Sequence, residues 1–353
     1  MQKLWVATRK GLIEIRNGDV ANVTFLGVPV TQVYARGDEV FAAVGHGHFG
    51  AKLHRSRDGG ATFEEVKAPA WPPKPPGPDE KDPMGRVIPW SLEQIWTIEK
   101  SGDVLWIGAL PAGLFRSADG GQSWQMVRAL WDREERKQWM GGGYDVPGIH
   151  SVRIDGRRVL CGISTGGLWA SEDAGETWEL RGKGLWAAYN PPELKYDLNS
   201  QDVHRIAACD AQPDVLWLQH HNGAFRSADG GRTFTELAVP PSSFGFAVAA
   251  HPRDPQTAWF APAIKDEKRV PVDGAMVVAR TRDGGKSFEV LRRGLPQKNA
   301  FHLVYRHGLD VDAAGESLAM GTTTGALWTS RDQGESWQEL SKDLPPIYAV
   351  RFG

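Results

Sequence analysis

Ser117-Ala118-Asp119-Gly120-Gly121-Gln122-Ser123-Trp124 is one of six copies of a single pattern in this chain: hydroxyl-x-Asp-x-Gly-x-hydroxyl-aromatic. The others run Ser56-x-Asp58-x-Gly60-x-Thr62-Phe63, Ser171-x-Asp173-x-Gly175-x-Thr177-Trp178 and Ser227-x-Asp229-x-Gly231-x-Thr233-Phe234. Two more follow, Thr281-x-Asp283-x-Gly285-x-Ser287-Phe288 and Ser330-x-Asp332-x-Gly334-x-Ser336-Trp337. The copies start at 56, 117, 171, 227, 281 and 330, intervals of 49 to 61 residues. A long period of this kind marks a repeat architecture.

Each copy joins two β-rich stretches, as in Gly113-Leu-Phe-Arg-Ser117 before and Ser123-Trp-Gln-Met-Val127 after. Such an arrangement is a hairpin signal. The Asp and Ser side chains can bond nearby backbone N–H groups, and glycine supplies the positive φ that the turn needs. The closing aromatic can wedge between sheets, where a ring buries roughly 150–250 Å². Two further strands precede the turn in each repeat, for example residues 94–98 and 104–108 in the second. Four strands per repeat make a propeller blade. We read the motif as a structural turn.

The ends supply a seventh blade. Residues 3–7 read as its second strand, Gly11-Leu-Ile-Glu-Ile-Arg16 as its third and 20–25 as its outer strand, with the turn eroded to Asn17-Gly18-Asp19. Ile347-Tyr-Ala-Val-Arg-Phe352 supplies the innermost strand, so the C-terminus closes the ring and removes the exposed edges of an open array. The expectation is an all-β, seven-bladed β-propeller in one domain, 1–353, its seventh blade shared by 1–27 and 345–353.

The six motifs resemble the Asp box, or BNR repeat, of sialidases and related propeller proteins, and the resemblance spans the chain. It implies turns on one face and ligand chemistry on the other. Several connections assigned to that other face are long: 67–93, 128–149, 182–203 and the loop 261–274. Loops beyond about 12–15 residues are uncommon unless functional or disordered. The stretch Ala68-Pro-Ala-Trp71-Pro-Pro-Lys-Pro-Pro-Gly-Pro78 reads as a stiff polyproline-like edge, and Asp132-Arg-Glu-Glu-Arg136 as a solvated, short helical turn. Trp71, Trp90, Trp131, Trp139 and Trp186 fall in these connections, either as platforms for sugar rings or as pins for their own loops.

Histidines gather at starts of innermost strands and in second-to-third loops: His46, His48, His150, His204, His220, His221 and His302. Imidazoles can bind a divalent transition metal or transfer protons. We assign His150, His204 and His221 as catalytic candidates. His46, His48, His150, His204, His221 and His302 are metal candidates. Trp90, Trp139, Trp186, Gln94, Asp145 and Asp202 are substrate-binding candidates. Glu93, Glu193, Asp197, Asp266 and Glu267 are further carboxylates in the same connections.

Charge excludes other classes. Lys plus Arg number 41 and Asp plus Glu 43, giving no basis for binding nucleic acid or an anionic membrane. No window is long and apolar enough for a spanning helix. Two cysteines make no disulfide framework, and the start lacks a secretory apolar run; both point to a cytoplasmic location.

Among Asp-box proteins, sialidases carry an early aromatic-Arg-Ile-Pro motif. Arg86-Val-Ile-Pro89 departs from it by an insertion, a missing aromatic and its place after the first turn. Xyloglucan-degrading glycosidases share the blade count but pair two propellers, and photosystem assembly factors are single scaffolds. The sequence most resembles the bacterial BNR-repeat proteins called glycosyl hydrolase-like. That resemblance implies a hydrolase-like enzyme acting on a small polar or glycosidic molecule. A metal-dependent enzyme using the histidines and a protein-binding scaffold are the alternatives.

Overall fold

A computed structural model describes residues 3–141 and 146–353. In chain order, the first sheet begins with β1 (Lys3–Thr8), β2 (Gly11–Arg16) and β3 (Asp19–Thr24). The second holds β4 (Val30–Arg36), β5 (Glu39–Gly45), β6 (Ala51–Ser56) and β7 (Glu64–Val66). The third holds β8 (Gln94–Ser101), β9 (Val104–Leu110), β10 (Leu114–Ser117) and β11 (Gln125–Met126). The fourth holds β12 (Ile149–Asp155), β13 (Arg158–Ile163), β14 (Gly167–Ser171) and β15 (Glu179–Arg181).

The fifth sheet holds β16 (Val203–Cys209), β17 (Gln212–His220), β18 (Gly223–Ser227) and β19 (Thr235–Leu237). The sixth holds β20 (Gly245–Ala250), β21 (Ala258–Pro262), β22 (Val278–Thr281) and β23 (Glu289–Leu291). The seventh holds β24 (Leu309–Val311), β25 (Leu318–Gly321), β26 (Leu327–Ser330) and β27 (Gln338–Ser341). The last strand, β28 (Ile347–Phe352), pairs antiparallel with β1 and completes the first sheet. This is the seven-bladed β-propeller that the repeat predicts, closed by the C-terminal strand.

The chain packs as two compact units, Asp38–His204 and the combined segments Met1–Gly37 and Arg205–Gly353. In the second of these, closure is an apolar event: Val350 faces Val6 and Ala349 faces Ala7 in the register of β28 on β1. Leu4, Val6, Ile13, Ile15, Ala319, Leu327, Ile347 and Val350 form one buried cluster there. In the unit Asp38–His204, a cluster of Trp106, Trp139, Trp169 and Trp178 with Val152, Val159 and Ile163 fills the space around the fourth sheet. Both cysteines are buried and free.

The six repeated turns share one hydrogen-bond scheme. At Ser117 the hydroxyl donates to Asp119 (2.8 Å) and accepts from the Gly121 N–H (2.9 Å). The Asp119 carboxylate also accepts from the Ser123 N–H (2.9 Å) and hydroxyl (2.5 Å). The glycines at the sixth motif's and second motif's equivalent position have φ of +91° (Gly334) and +90° (Gly121), a region only glycine enters freely. The same bonds hold the carboxyls of Asp58, Asp173 and Asp283 down at about 2. Each cause acts chiefly through the hydroxyl and N–H three to four residues on. The carboxylate oxygens are thus turned inward on their own turn.

Candidate functional site

In the unit Asp38–His204, the connection 182–202 folds into a self-braced loop through two short 3₁₀ turns, Pro192–Leu194 and Leu198–Ser200. Asn190 Nδ2 donates to Ser200 Oγ (2.6 Å) and to the Leu194 carbonyl (3.1 Å). Tyr189 Oη donates to the Ser200 carbonyl (2.8 Å), and Gln201 Nε2 to the Asp197 carbonyl (2.6 Å). The Gly167 N–H on β14 donates to the Gln201 carbonyl (2.9 Å) and ties the loop to the sheet.

This bracing displays rings. Tyr196 is 62% and Tyr189 41% exposed. Trp186 is half-buried, with the Lys195 ammonium 4.7 Å from its ring centre; the same ammonium lies 5.4 Å from the Tyr196 ring. At the end of the loop, Asp202 Oδ2 lies 3.5 Å from His204 Nε2, and both side chains are buried. The Tyr189 hydroxyl is held well above its ordinary range, first by burial and then by the charge of Asp202. Tyr189 is thus partly open, with its hydroxyl tied to the Ser200 carbonyl. An imidazole beside a carboxylate is a proton-transfer pair, and open aromatic faces beside it suit the apolar faces of a sugar.

The structure sorts the other candidates. Trp139 is 1% exposed, so its assignment as a sugar platform is corrected. It donates from Nε1 to Asn199 Oδ1 (2.9 Å) and meets Trp169 edge-on, pinning the loop from below. His150 is fully buried with its ring 5.0 Å from Trp96, which removes it from direct contact with a ligand. Trp90 is half-buried, donates to the Pro72 carbonyl (2.7 Å) and packs edge-on against Trp131. Trp71 packs on the same Trp131, so these rings pin the proline-rich connection. Gln94 opens β8, half-buried, opposite Leu110. Asp145 lies outside the described residues.

His46 and His48 stand exposed on the 3₁₀ turn Gly47–Phe49, their rings against Phe49 at 5.0 and 5.3 Å. In the other unit, His220 is buried and accepts from the Asn222 N–H (3.0 Å), while His221 meets Phe244 edge-on. His302 shares a hydrogen bond with Thr324 Oγ1 (2.5 Å) and lies against Trp328; burial lowers its pKa. Asp266 pairs with Arg269 (2.6 Å) and Glu267 with Lys265 (3.2 Å). Among the connection residues, Tyr189, Asn190, Lys195 and Tyr196 were missed by the sequence reading. The signal was present as two tyrosines and a lysine inside one long connection.

The short helical turn expected at 132–136 is present as the 3₁₀ turn Glu134–Gln138, with Asp132 and Glu134 exposed, but Arg136 is not a solvated charge. Arg136 stacks on Trp131 at 4.0 Å and forms a two-pronged pair with Glu80 (2.5 and 3.1 Å). A guanidinium desolvated on a ring face and forked onto a carboxylate is a structural clamp, which composition alone does not distinguish from a surface charge.

No family model matches the chain. It is 26% identical over 299 residues to the oligoxyloglucan-reducing end-specific xyloglucanase of Emericella nidulans, covering 82% of this chain and 31% of that protein. The chain thus spans about a third of this curated relative's length. The GH74 xyloglucanase of Xanthomonas campestris superimposes with a TM-score of 0.64 at 17% identity, over 97% of this chain and 52% of that one. YCF48 bound to a D1 peptide superimposes with a TM-score of 0.57 at 14% identity, over 91% and 86%. These two likenesses are likenesses of fold.

Proposed function

We propose that this chain binds an oligosaccharide and acts on it as a glycoside hydrolase-like enzyme. The observation that carries the reading is the buried Asp202–His204 pair directly beneath a loop that displays Trp186, Tyr189 and Tyr196. The sequence similarity to an oligoxyloglucan-specific xyloglucanase supports a glycan as the ligand class. In this reading the open rings hold the sugar faces, and the buried Asp202–His204 pair positions the loop that carries them. Trp90 and Gln94 belong to the neighbouring third-sheet connections, and Trp139 and His150 support from within.

The test is release of reducing ends from a panel of β-glucan and xyloglucan oligosaccharides, with binding followed separately by calorimetry. Asp202→Asn, which weakens the pair that positions the loop, is expected to lower turnover while the oligosaccharide still binds. Tyr196→Ala is expected to weaken binding without unfolding the chain. Absence of any saturable oligosaccharide binding, or full turnover in Asp202→Asn, would sink the proposal.

A further inference from the structure

Four sheets, the second, third, fifth and sixth, share one plan at the seam, which the first, fourth and seventh lack. In the plan, an aromatic on a sheet's second strand stands opposite an arginine on its third, and the arginine reaches the next repeated turn. In the unit Asp38–His204, Phe41 faces Arg55 and Trp106 faces Arg116. Arg55 donates to the Gly120 carbonyl (3.3 Å), and Arg116 to the Ala174 carbonyl (2.9 Å). In the other unit, Trp217 faces Arg226, whose guanidinium lies 5.2 Å over the indole. Trp259 faces Arg280, and both donate to the Gln333 carbonyl, at 2.9 and 2.8 Å.

The seam between the seventh and first sheets lies within this same unit and lacks both groups. Ala319 stands opposite Thr329 where the sixth sheet has Trp259 opposite Arg280. The turn that receives them is still in place. Asn17 and Gly18 have φ of +55° and +94°, matching +58° and +91° at Gln333 and Gly334. A Cβ on Gly18 would meet the outer-strand Leu340, just as one on Gly334 would meet the outer-strand Leu291. The Asn17 carbonyl therefore takes the position of the Gln333 carbonyl, but the indole and guanidinium are reduced to a methyl and a hydroxyl. Thr329 lines a cavity of about 440 Å³ at this seam, whose walls also include Leu4, Ile15, Asn17, Leu340 and Phe352. That volume is in the range of small-molecule pockets.

We propose that this seam is a binding site for a planar ring of indole size carrying an N–H donor, which enters between Leu340 and Phe352 and donates to the Asn17 carbonyl. The chain shows the fit at its own sixth-to-seventh seam, where the indole of Trp259 donates to the matching carbonyl. The argument is independent of the glycan site, which lies in the other unit. A carbonyl has two lone pairs, so it accepts an incoming N–H beside any bond it already makes.

The experiment is a saturation-transfer and chemical-shift titration of the full chain with indole, benzofuran and N-acetyltryptophanamide. Indole is expected to bind saturably, and benzofuran, the same shape without the N–H, at least about fivefold more weakly, since losing a hydrogen bond costs about 1 kcal/mol. Equal binding of N-acetyltryptophanamide assigns the site to a tryptophan side chain of a peptide; its failure beside indole assigns it to a free small molecule. Ala319→Trp restores the missing indole and should weaken added indole at least tenfold; Gln338→Trp on the exposed outer strand is a second blocking variant should the first not fold. The proposal is overturned if the wild-type chain shows no saturable indole binding, or if a folded blocking variant binds indole as the wild type does.

Discussion

At the repeated turn Ser117–Trp124 the hydrogen bonds close within eight residues, from Ser117 to Gly121 and from Asp119 to Ser123. The connection 182–202 adds to its internal bonds others to partners far away in sequence: Asn199 receives Trp139 from sixty residues before it and donates to the Glu135 carbonyl. The turns are local objects, copied six times with one scheme. The connection 182–202 is braced both from within and by a ring and an amide contact from another connection. A local object survives loss of one bond with a local cost. A connection pinned by a distant buried ring loses part of its bracing with that ring.

The largest effect should follow from Trp139→Ala. It deletes a buried indole from a tryptophan cluster and orphans Asn199, and should cost about 3–5 kcal/mol in chemical denaturation. Rapid proteolysis within 182–202 is expected to accompany it; an unchanged denaturation midpoint would show that the connection holds itself. Ser117→Ala, at a buried hydroxyl in a repeated turn, should cost about 1 kcal/mol and leave proteolysis of the connections unchanged. A loss comparable to that of Trp139→Ala would break the contrast between the two regions.

The smallest effect is a pH dependence that belongs to the turns. Asp58, Asp173 and Asp283 are held at about 2, below the ordinary carboxylate value near 3.9. Depressed carboxyls contribute stability that is present above pH ~4 and is lost as pH falls through about 2. Acid unfolding should therefore steepen between these values, and Asp283→Asn should flatten that limb slightly while Trp139→Phe leaves its slope alone. An acid limb indifferent to Asp283→Asn would place the acid sensitivity elsewhere.

The turns were legible because their chemistry lies in consecutive residues: a hydroxyl, a carboxylate and a glycine at fixed offsets have one economical way to satisfy one another. The alternating strands around them follow the same logic, and so does Ile347–Phe352 as the strand that completes the first sheet. The candidate site was legible only in part. Asp202 and His204 were picked as residue types in a connection, but their approach to 3.5 Å depends on how β16 begins beneath the loop. Trp139 and Trp186 are the same residue in similar connections, yet one is buried under Asn199 and the other sits partly open beside Lys195.

By itself, then, the sequence determined the repeat, the four-strand blade, the turn geometry and the closing strand, because each rests on contacts between near neighbours or on simple alternation. Only the tertiary structure decided which tryptophans pin and which display, that Arg136 clamps Glu80 over Trp131, and that the seam at Asn17 and Gly18 lacks the aromatic and arginine of the sixth-to-seventh seam. Those outcomes depend on distant side chains competing for the same space, and no local pattern records who wins.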